Sequence, residues 1–484
     1  MQQGREAVGI PIPMLDLMFF LTESRDNPRH VGALLIFQRP LRGGADIVDR
    51  IVNAYRRATP VPPFNRIPVL RRFGLPEWQE VDRLDADYHF QRRTLPAPGS
   101  DAQLDELVAE LHAPMLDRKH PGWQVYLIEG LERYRFAVYI KIHHSLVDGE
   151  SGIALVHRSL SRSRRDRRIR TVIATSLPAA TRVAPRGLLP RLEHEVAHAA
   201  RTALSIGWGS ERVLEECLAG LRGFSSQATR PFTAPLTPMN EPIRNARAIA
   251  HTVLPLRVMT AVARAWGTTL NDVALCVLDA AMNRYLRSIG RPADRALVAI
   301  CPVSLQDRKH KQLTTQVSVF WSPLGTPSAA IGRRMREVMA NTRAAKERIR
   351  ALPKDAAYAY AVLTFALGET LALVPRGPVD YFLPSNVLIS NVRGPSEPLY
   401  LAGARLEALC PVSTLISGMG LNVTFMSYAG QVTIGFTANA AALPHAGRLA
   451  QYTREAFATL ERQTRQPLSA APRAASSRAH RNTG

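Results

Sequence analysis

The sequence predicts a mixed α/β protein made of two halves joined by a basic linker. Three observations carry that prediction. The chain has 484 residues, of which 46% are hydrophobic and 21% charged, an ordinary globular composition. At roughly 150 residues per domain, that length allows about three domains or two large ones. Segments of strand and helix periodicity alternate on both sides of residues 161–245. Within 161–245 the composition shifts towards arginine, proline, serine and threonine. A wholly disordered chain, a collagen-like chain and a coiled-coil rod are excluded.

The first half, residues 1–160, opens with a strand at 30–37. A helix follows at 45–58, where Ile47, Val48, Ile51 and Ala54 share one face. A second helix at 101–116 repeats the spacing through Leu104, Leu107, Val108 and Leu111. Residues 124–130 and 135–142 form a hairpin around 131–134. The linker contains a helix-like stretch at 188–224 between mobile ends. The second half, 246–460, has helices at 258–266 and 270–288. Its strands fall at 296–304, 315–321, 387–390, 421–427 and 431–437. The last two flank Tyr428-Ala429-Gly430, a hairpin turn signal. Residues 461–484 form a basic tail, small and polar from Thr464 onward and predicted to be disordered.

Residues 1–10 carry Arg5 and Glu6 and no apolar run, so no signal peptide is expected. The most lipid-like stretch, 356–374, is interrupted by Glu369 and is near the lower length for a bilayer span. It reads as a buried helix or one resting on a membrane. Cys217, Cys276, Cys301 and Cys410 are far apart, which argues against structural zinc and a disulfide framework. They read as buried thiols.

The formal net charge is +22, and only six of the 62 basic residues are lysine. Codon bias in a GC-rich genome can produce such arginine richness, but the distribution is uneven. Residues 158–191 hold ten arginines and one acid, Asp166. Nucleic acid and anionic lipid are the two surfaces that attract such charge. The stretch has no Phe, Tyr or Trp to stack on bases, so peripheral membrane contact is the preferred reading over nucleic acid.

The chemical centre is His143-His144-Ser145-Leu146-Val147-Asp148-Gly149. Along the preceding strand Phe136, Val138, Ile140 and Ile142 share a face that His144 continues, and His143 takes the other. His144 should therefore enter an interior or cleft, while His143 holds the loop. Gly149 supplies turn geometry, and Ile153, Val156 and Leu160 begin a helix. Neutral imidazole can take a proton from a hydroxyl or thiol. Adjacent histidines point apart and no third ligand is evident, which disfavours zinc.

This motif resembles the HHxxxDG signature of the CoA-dependent acyltransferase superfamily. Pro13-Met14-Leu15-Asp16 and Asn27-Pro28-Arg29-His30-Val31-Gly32 look like the start of the bacterial wax ester synthase/diacylglycerol acyltransferase family. Pro121-Gly122-Trp123, Asn271-Asp272-Val273 and Ile389 to Pro395 resemble its Pro-Leu-Trp, Asn-Asp and Ser-Asn-Val-Pro-Gly-Pro motifs. The likeness runs in order from about residue 11 to 460. Gly122, Gln306 and Arg393 depart from the family pattern and put acceptor choice in doubt. Gly122 in place of leucine would enlarge an alcohol-side pocket.

The resemblance implies two chloramphenicol-acetyltransferase-like halves with the reaction centre at their interface. It implies an O-acyltransferase that moves a long acyl chain from acyl-CoA to diacylglycerol or a long-chain alcohol. His144 would be the general base, with His143, Asp148 and Gly149 completing the catalytic motif. Asn271, Asp272, Ser390, Asn391 and Trp123 would shape the substrate side. Acyl-CoA is a co-substrate, and no metal or other cofactor is implied. A cytoplasmic protein peripheral to the inner membrane face or lipid droplets follows, docked through 188–224 or 356–374. The alternatives are the same chemistry on a polyketide or glycolipid hydroxyl, and a non-catalytic lipid-droplet protein.

Overall fold

The computed structural model describes residues 10–12, 14–40, 44, 46–69, 76–147, 149–176, 234–304, 317–371 and 385–465. The helix-like stretch 188–224, Asp148, Gln306 and the tail beyond 465 lie outside the described residues.

The first half begins with β1 (Ile10–Pro11), α1 (Met14–Thr22), β2 (His30–Gln38) and α2 (Ile47–Arg57). Then come β3 (Arg66–Val69), β4 (Glu77–Glu80), α3 (Ala86–His89), β5 (Phe90–Thr94) and α4 (Asp101–His112). It closes with β6 (Trp123–Leu131), β7 (Arg135–His143) and α5 (Gly149–Ser159). Ser100 starts α4 by a reciprocal capping box with Gln103, which satisfies two orphan amides.

The second half begins with β8 (Arg247–Pro255), α6 (Leu256–Ala265), α7 (Leu270–Ser288), β9 (Val298–Ser304) and β10 (Val317–Pro323). Helices α8 (Ile331–Arg350) and α9 (Lys354–Leu371) lead to β11 (Val387–Arg393). The described residues end with β12 (Tyr400–Leu401), β13 (Ala404–Val412), β14 (Leu421–Tyr428), β15 (Gln431–Asn439) and α10 (Gly447–Arg465). The β14–β15 turn has Ala429 and Gly430 at φ 45° and 82°, the left-handed pair that matches strand twist.

Two six-stranded mixed sheets organise the molecule. One runs β10-β9-β11-β14-β15-β8, the other β12-β13-β2-β7-β6-β5. A three-stranded sheet, β1-β4-β3, stands apart from both. Strands β12 and β13 follow β11 in the chain yet add to β2 in the sheet of the first half. A register shift between Leu406 and Ala408 lets β13 serve two cores. Leu406 and Leu409 join the core on the α2 and α5 side, while Ala408, Cys410 and Val412 join the one under α4.

All nine residues of β7 are buried. Phe136, Val138, Ile140 and Ile142 face the core on the α2 and α5 side, as the alternation requires. Ala137 and Tyr139 pack under Leu104 and Val108 of α4. Lys141 lies on that covered face with 1% exposure and donates to the carbonyls of Leu111 and Pro114. Burial, opposed by the nearby charge of Glu23, lowers its pKa to about 7.

Candidate active site

The strand β7 delivers both histidines to one end of the first sheet. The His143 amide donates to Gly122 O at 2.7 Å, and the His144 amide to Arg29 O at 2.9 Å. These bonds fix the chain as it leaves the sheet. A turn closes with Leu146 N donating to His143 O at 3.0 Å.

Helix α1 brackets the pair. Phe19 stacks on the His144 ring at 4.2 Å, and Phe20 on the His143 ring at 4.4 Å. Adjacent residues of one helix thus meet adjacent residues of one turn. Phe19 also approaches Phe365 of α9 at 6.5 Å, so the His144 environment includes a residue of the second half.

His143 is buried and carries the loop's internal bonds. Its Nδ1 lies 2.6 Å from Ser145 Oγ and accepts from the Ser145 amide at 3.3 Å. An amide can only donate, so Nδ1 accepts there, which leaves Nε2 as the other ring nitrogen. That nitrogen faces Glu23 Oε1 at 3.5 Å. Glu23 has 1% side-chain exposure, receives Arg118 Nη2 at 3.0 Å and accepts the Arg29 amide at 3.1 Å. Burial works to raise its pKa, but bonds and charge from His143, with the Arg29 and Arg118 donors, outweigh it and leave the pKa lowered.

Arg29 ties this arrangement to the second half. Its guanidinium reaches Glu369 of α9 at 2.6 Å and Leu415 O at 2.7 Å, with side-chain exposures of 1% and 7% for the ion pair. The Ser417 hydroxyl donates to the same carboxylate at 2.7 Å. The flanking loop is held too. Thr414 donates to Pro28 O, Asn245 to Arg25 O and Arg247 to Asp26 O. The charge that interrupts the apolar run of α9 is therefore a buried joint between the halves. Among the described residues no helix is long and apolar enough to cross a membrane.

The second half approaches through β11. A Cβ placed on Gly149, the first residue of α5, would lie 3.9 Å from Val392 Cγ2. Strand β11 runs parallel to β14 from Leu388 to Arg393, but its ladder with β9 stops at Leu388↔Ile300. The two strands part beyond that point, on the stretch that carries Ser390 and Asn391. Ser390 is half-buried and Asn391 exposed.

The remaining expected site residues are placed differently. Asp272 is spent on structure: it caps α7 with Thr269, accepts from Thr268 and Thr342 at 2.7 and 2.8 Å, and meets Lys346 at 3.5 Å. Its neighbour Asn271 keeps a buried Nδ2 without a hydrogen-bond partner. Trp123 has no exposure, donates to Phe64 O at 2.8 Å and stacks on His89 at 4.0 Å. It belongs to the core beneath the site. The cavity bordered by Gly122, His143, Ser145, Phe20 and Glu23 has a volume of about 10 Å³, room for about one water rather than an alcohol chain. Among the described residues no cluster of three His, Cys, Asp or Glu is arranged to hold a metal.

Glu23, Arg29, Glu369 and Phe19 were not singled out as site residues by sequence. A lone acid in an apolar helix was the available signal, since a buried charge requires a partner.

Comparison with known proteins shows the family and the fold. A family model described as the wax ester synthase/diacylglycerol acyltransferase catalytic domain matches residues 13–274. The corresponding C-terminal domain model matches 314–461. A probable diacylglycerol O-acyltransferase of Mycobacterium tuberculosis is 34% identical over 464 residues, covering 92% of this chain and 95% of that protein. The structure of a wax ester synthase/diacylglycerol acyltransferase from Marinobacter aquaeolei VT8 superposes with a TM-score of 0.73 at 30% identity, covering 94% and 99% of the two chains. The first condensation domain of a calcium-dependent antibiotic synthetase shares the fold, with a TM-score of 0.58 at 15% identity and coverage of 96% and 98%.

Proposed function

Because the chain belongs to the wax ester synthase/diacylglycerol acyltransferase family, we propose that it transfers a long-chain acyl group from acyl-CoA to the hydroxyl of diacylglycerol, a long-chain alcohol, or both. The observation that carries this reading is the placement of His144. It leaves the last strand of the first half, is pinned by Arg29 O and Phe19, and lies beside the joint to the second half.

His144 takes the proton of the acceptor hydroxyl. The oxygen attacks the thioester carbonyl and forms a tetrahedral oxyanion, which collapses and expels CoA thiolate. The proton held by His144 then returns to the sulfur, so ester and CoA thiol leave with no covalent enzyme intermediate. A positioned base contributes about 10²–10⁴-fold in rate. His143 serves as a support: with Ser145 and Glu23 it keeps the turn from rotating His144 away. Asp148 belongs to the catalytic motif on this reading, and Gly149 opens α5. The strand edge at Ser390 and Asn391, with the unpartnered amide of Asn271, supplies polar groups for the thioester and oxyanion. Asp272 acts by capping the helix that carries Asn271.

The long acyl chains require an apolar channel, since each buried methylene contributes about 0.8 kcal/mol. The protein would act in the cytoplasm at an anionic membrane or droplet surface, where diacylglycerol resides. Residues 1–160 and 246–460 form the two catalytic halves on this reading, with 161–245 as the crossover.

The test is CoA release from palmitoyl-CoA with hexadecanol or dioleoylglycerol, for wild type and His144→Ala, with the lipid product followed in parallel. Acceptor-dependent turnover lost in the variant is the expected result, and the better acceptor identifies the main activity. Equal turnover in the variant would refute His144 as base.

A further inference from the structure

We propose that residues 158–170 form an arginine strap that docks this protein on an anionic lipid bilayer. The proposal rests on the acyl-transfer reading, since it names the surface that presents the lipid acceptor.

The strap holds seven arginines and one acid in 13 residues. Asp166 is already shared by Arg168 and Arg170, at 3.0 and 3.2 Å. Arg162 reaches Glu397 at 3.5 Å. Arg158, Arg164 and Arg165 are exposed, and among the described residues no carboxylate pairs with them.

The backbone beneath these charges is fastened. Ser161 and Tyr400 of β12 exchange two backbone bonds of 2.8 and 2.7 Å. Arg167 donates to Ala402 O at 3.0 Å, and Arg50 to Arg167 O at 3.1 Å. The guanidinium groups therefore stand on a fixed edge of the first sheet, and less ordering is required when they meet a surface. Planar guanidinium groups suit phosphodiester oxygens.

Position supports the assignment. The strap continues directly from α5, whose first residue abuts Val392. A helix of this length places the two roughly 15 Å apart. The exposed Arg393 adds a further charge beside the site.

The other arginine-rich face, over α7, α8 and α10, is partly compensated by carboxylates on the same helices. There Arg284 pairs with Glu455, Arg333 with Glu337, Arg343 with Glu347 and Arg465 with Glu461. Carboxylates spread through that face repel a phosphate layer, whereas the acids that pair with the strap are Asp166 and Glu397.

The experiment is co-sedimentation of the full chain with phosphatidylglycerol/phosphatidylcholine vesicles and with pure phosphatidylcholine vesicles, across a salt series. Wild type should bind only the anionic vesicles, and salt should weaken the binding. Arg164→Glu/Arg165→Glu should weaken it at least tenfold or so, because each basic residue near an anionic leaflet strengthens partitioning about fivefold. Arg164→Gln/Arg165→Gln should weaken it less, in the same direction. Arg336→Glu/Arg448→Glu, exposed arginines of that helical face, should bind like wild type. Wild-type binding by the strap variants, or no preference for anionic vesicles, would overturn the proposal. So would a raised KM for acyl-CoA in the strap variants with a detergent-dispersed acceptor, which would assign the arginines to the CoA phosphates. Turnover in detergent is a separate reading: its absence in wild type would sink the acyl-transfer function, while the vesicle series would still decide the docking.

Discussion

Glu23 follows an apolar helix in the sequence and looks like an ordinary acid at a helix end, yet its side chain is 1% exposed and meets His143, Arg118 and the Arg29 amide. A carboxylate buried with three donors is a positioning group, because each donor fixes an element that borders the motif. Glu23→Gln should lower kcat by about 10–100-fold through misplacement of the turn, with KM for acyl-CoA little changed; steady-state kinetics separates the two. Gly122 makes a similar point by its lack of a side chain. A Cβ there would sit 3.0 Å from His143 Cβ, so Gly122→Ala should press on the same ring and reduce kcat in the same assay. Lys141 is coupled to the site through stability. Its pKa falls from the ordinary lysine value to about 7 in the fold, chiefly by burial. Between pH 7 and about 10.4 the unfolded chain holds a proton that the folded one has released, so this group makes stability rise with pH across that window. The difference in unfolding free energy, wild type minus Lys141→Met, should therefore increase from pH 7 to pH 10 by a few kcal/mol, on the order of 4. A flat difference in urea titrations would contradict the buried, neutral lysine.

Helix α9 illustrates what an element can conceal. Its apolar run suggested a core or membrane-surface helix, and the core reading holds for the side where Tyr360 stacks edge-on against Trp321. Near its end Glu369 turns the helix into one half of a buried ion pair with Arg29. Breaking such a pair strands a charge, so Arg29→Ala and Glu369→Ala should each cost about 3–5 kcal/mol in denaturant unfolding. Arg29→Met/Glu369→Met should cost less than their sum, because neither charge remains. The periodicity that marked α2, α4, α6 and α7 in the sequence rests on local spacing, and those helices stand close to where the spacing put them. The short sheet β1-β4-β3 had no comparable signal. Its strands have two to four residues, too few to show alternation.

At the scale of the whole molecule, the two halves share more than a joint. Strands β12 and β13 belong by chain order to the second half and by hydrogen bonding to the first sheet. On the other side Asp105 of α4 meets His251 of β8 at 2.7 Å. A fragment ending at residue 245 would expose the β2 edge and part of two cores. Such a fragment should be unfolded or aggregated, as read by circular dichroism and size-exclusion chromatography, whereas co-expression with 246–484 should restore soluble protein. A folded, monomeric fragment would show that the lent strands are dispensable.

The sequence by itself determined the two mixed α/β halves, most of the long elements and the motif that ends β7. These depend on residues within one or two turns of each other, where periodicity and turn chemistry act. Strand alternation predicts opposite faces for His143 and His144, but β7 ends at His143 and His144 lies in the turn beyond it. Only the tertiary structure decided that β13 completes the first sheet, that Arg29 meets Glu369 across 340 positions, and that Trp123 and Asp272 serve packing and capping. Those outcomes depend on which distant surfaces meet. A lone arginine and a lone glutamate carry no mark of each other until the fold removes both from water.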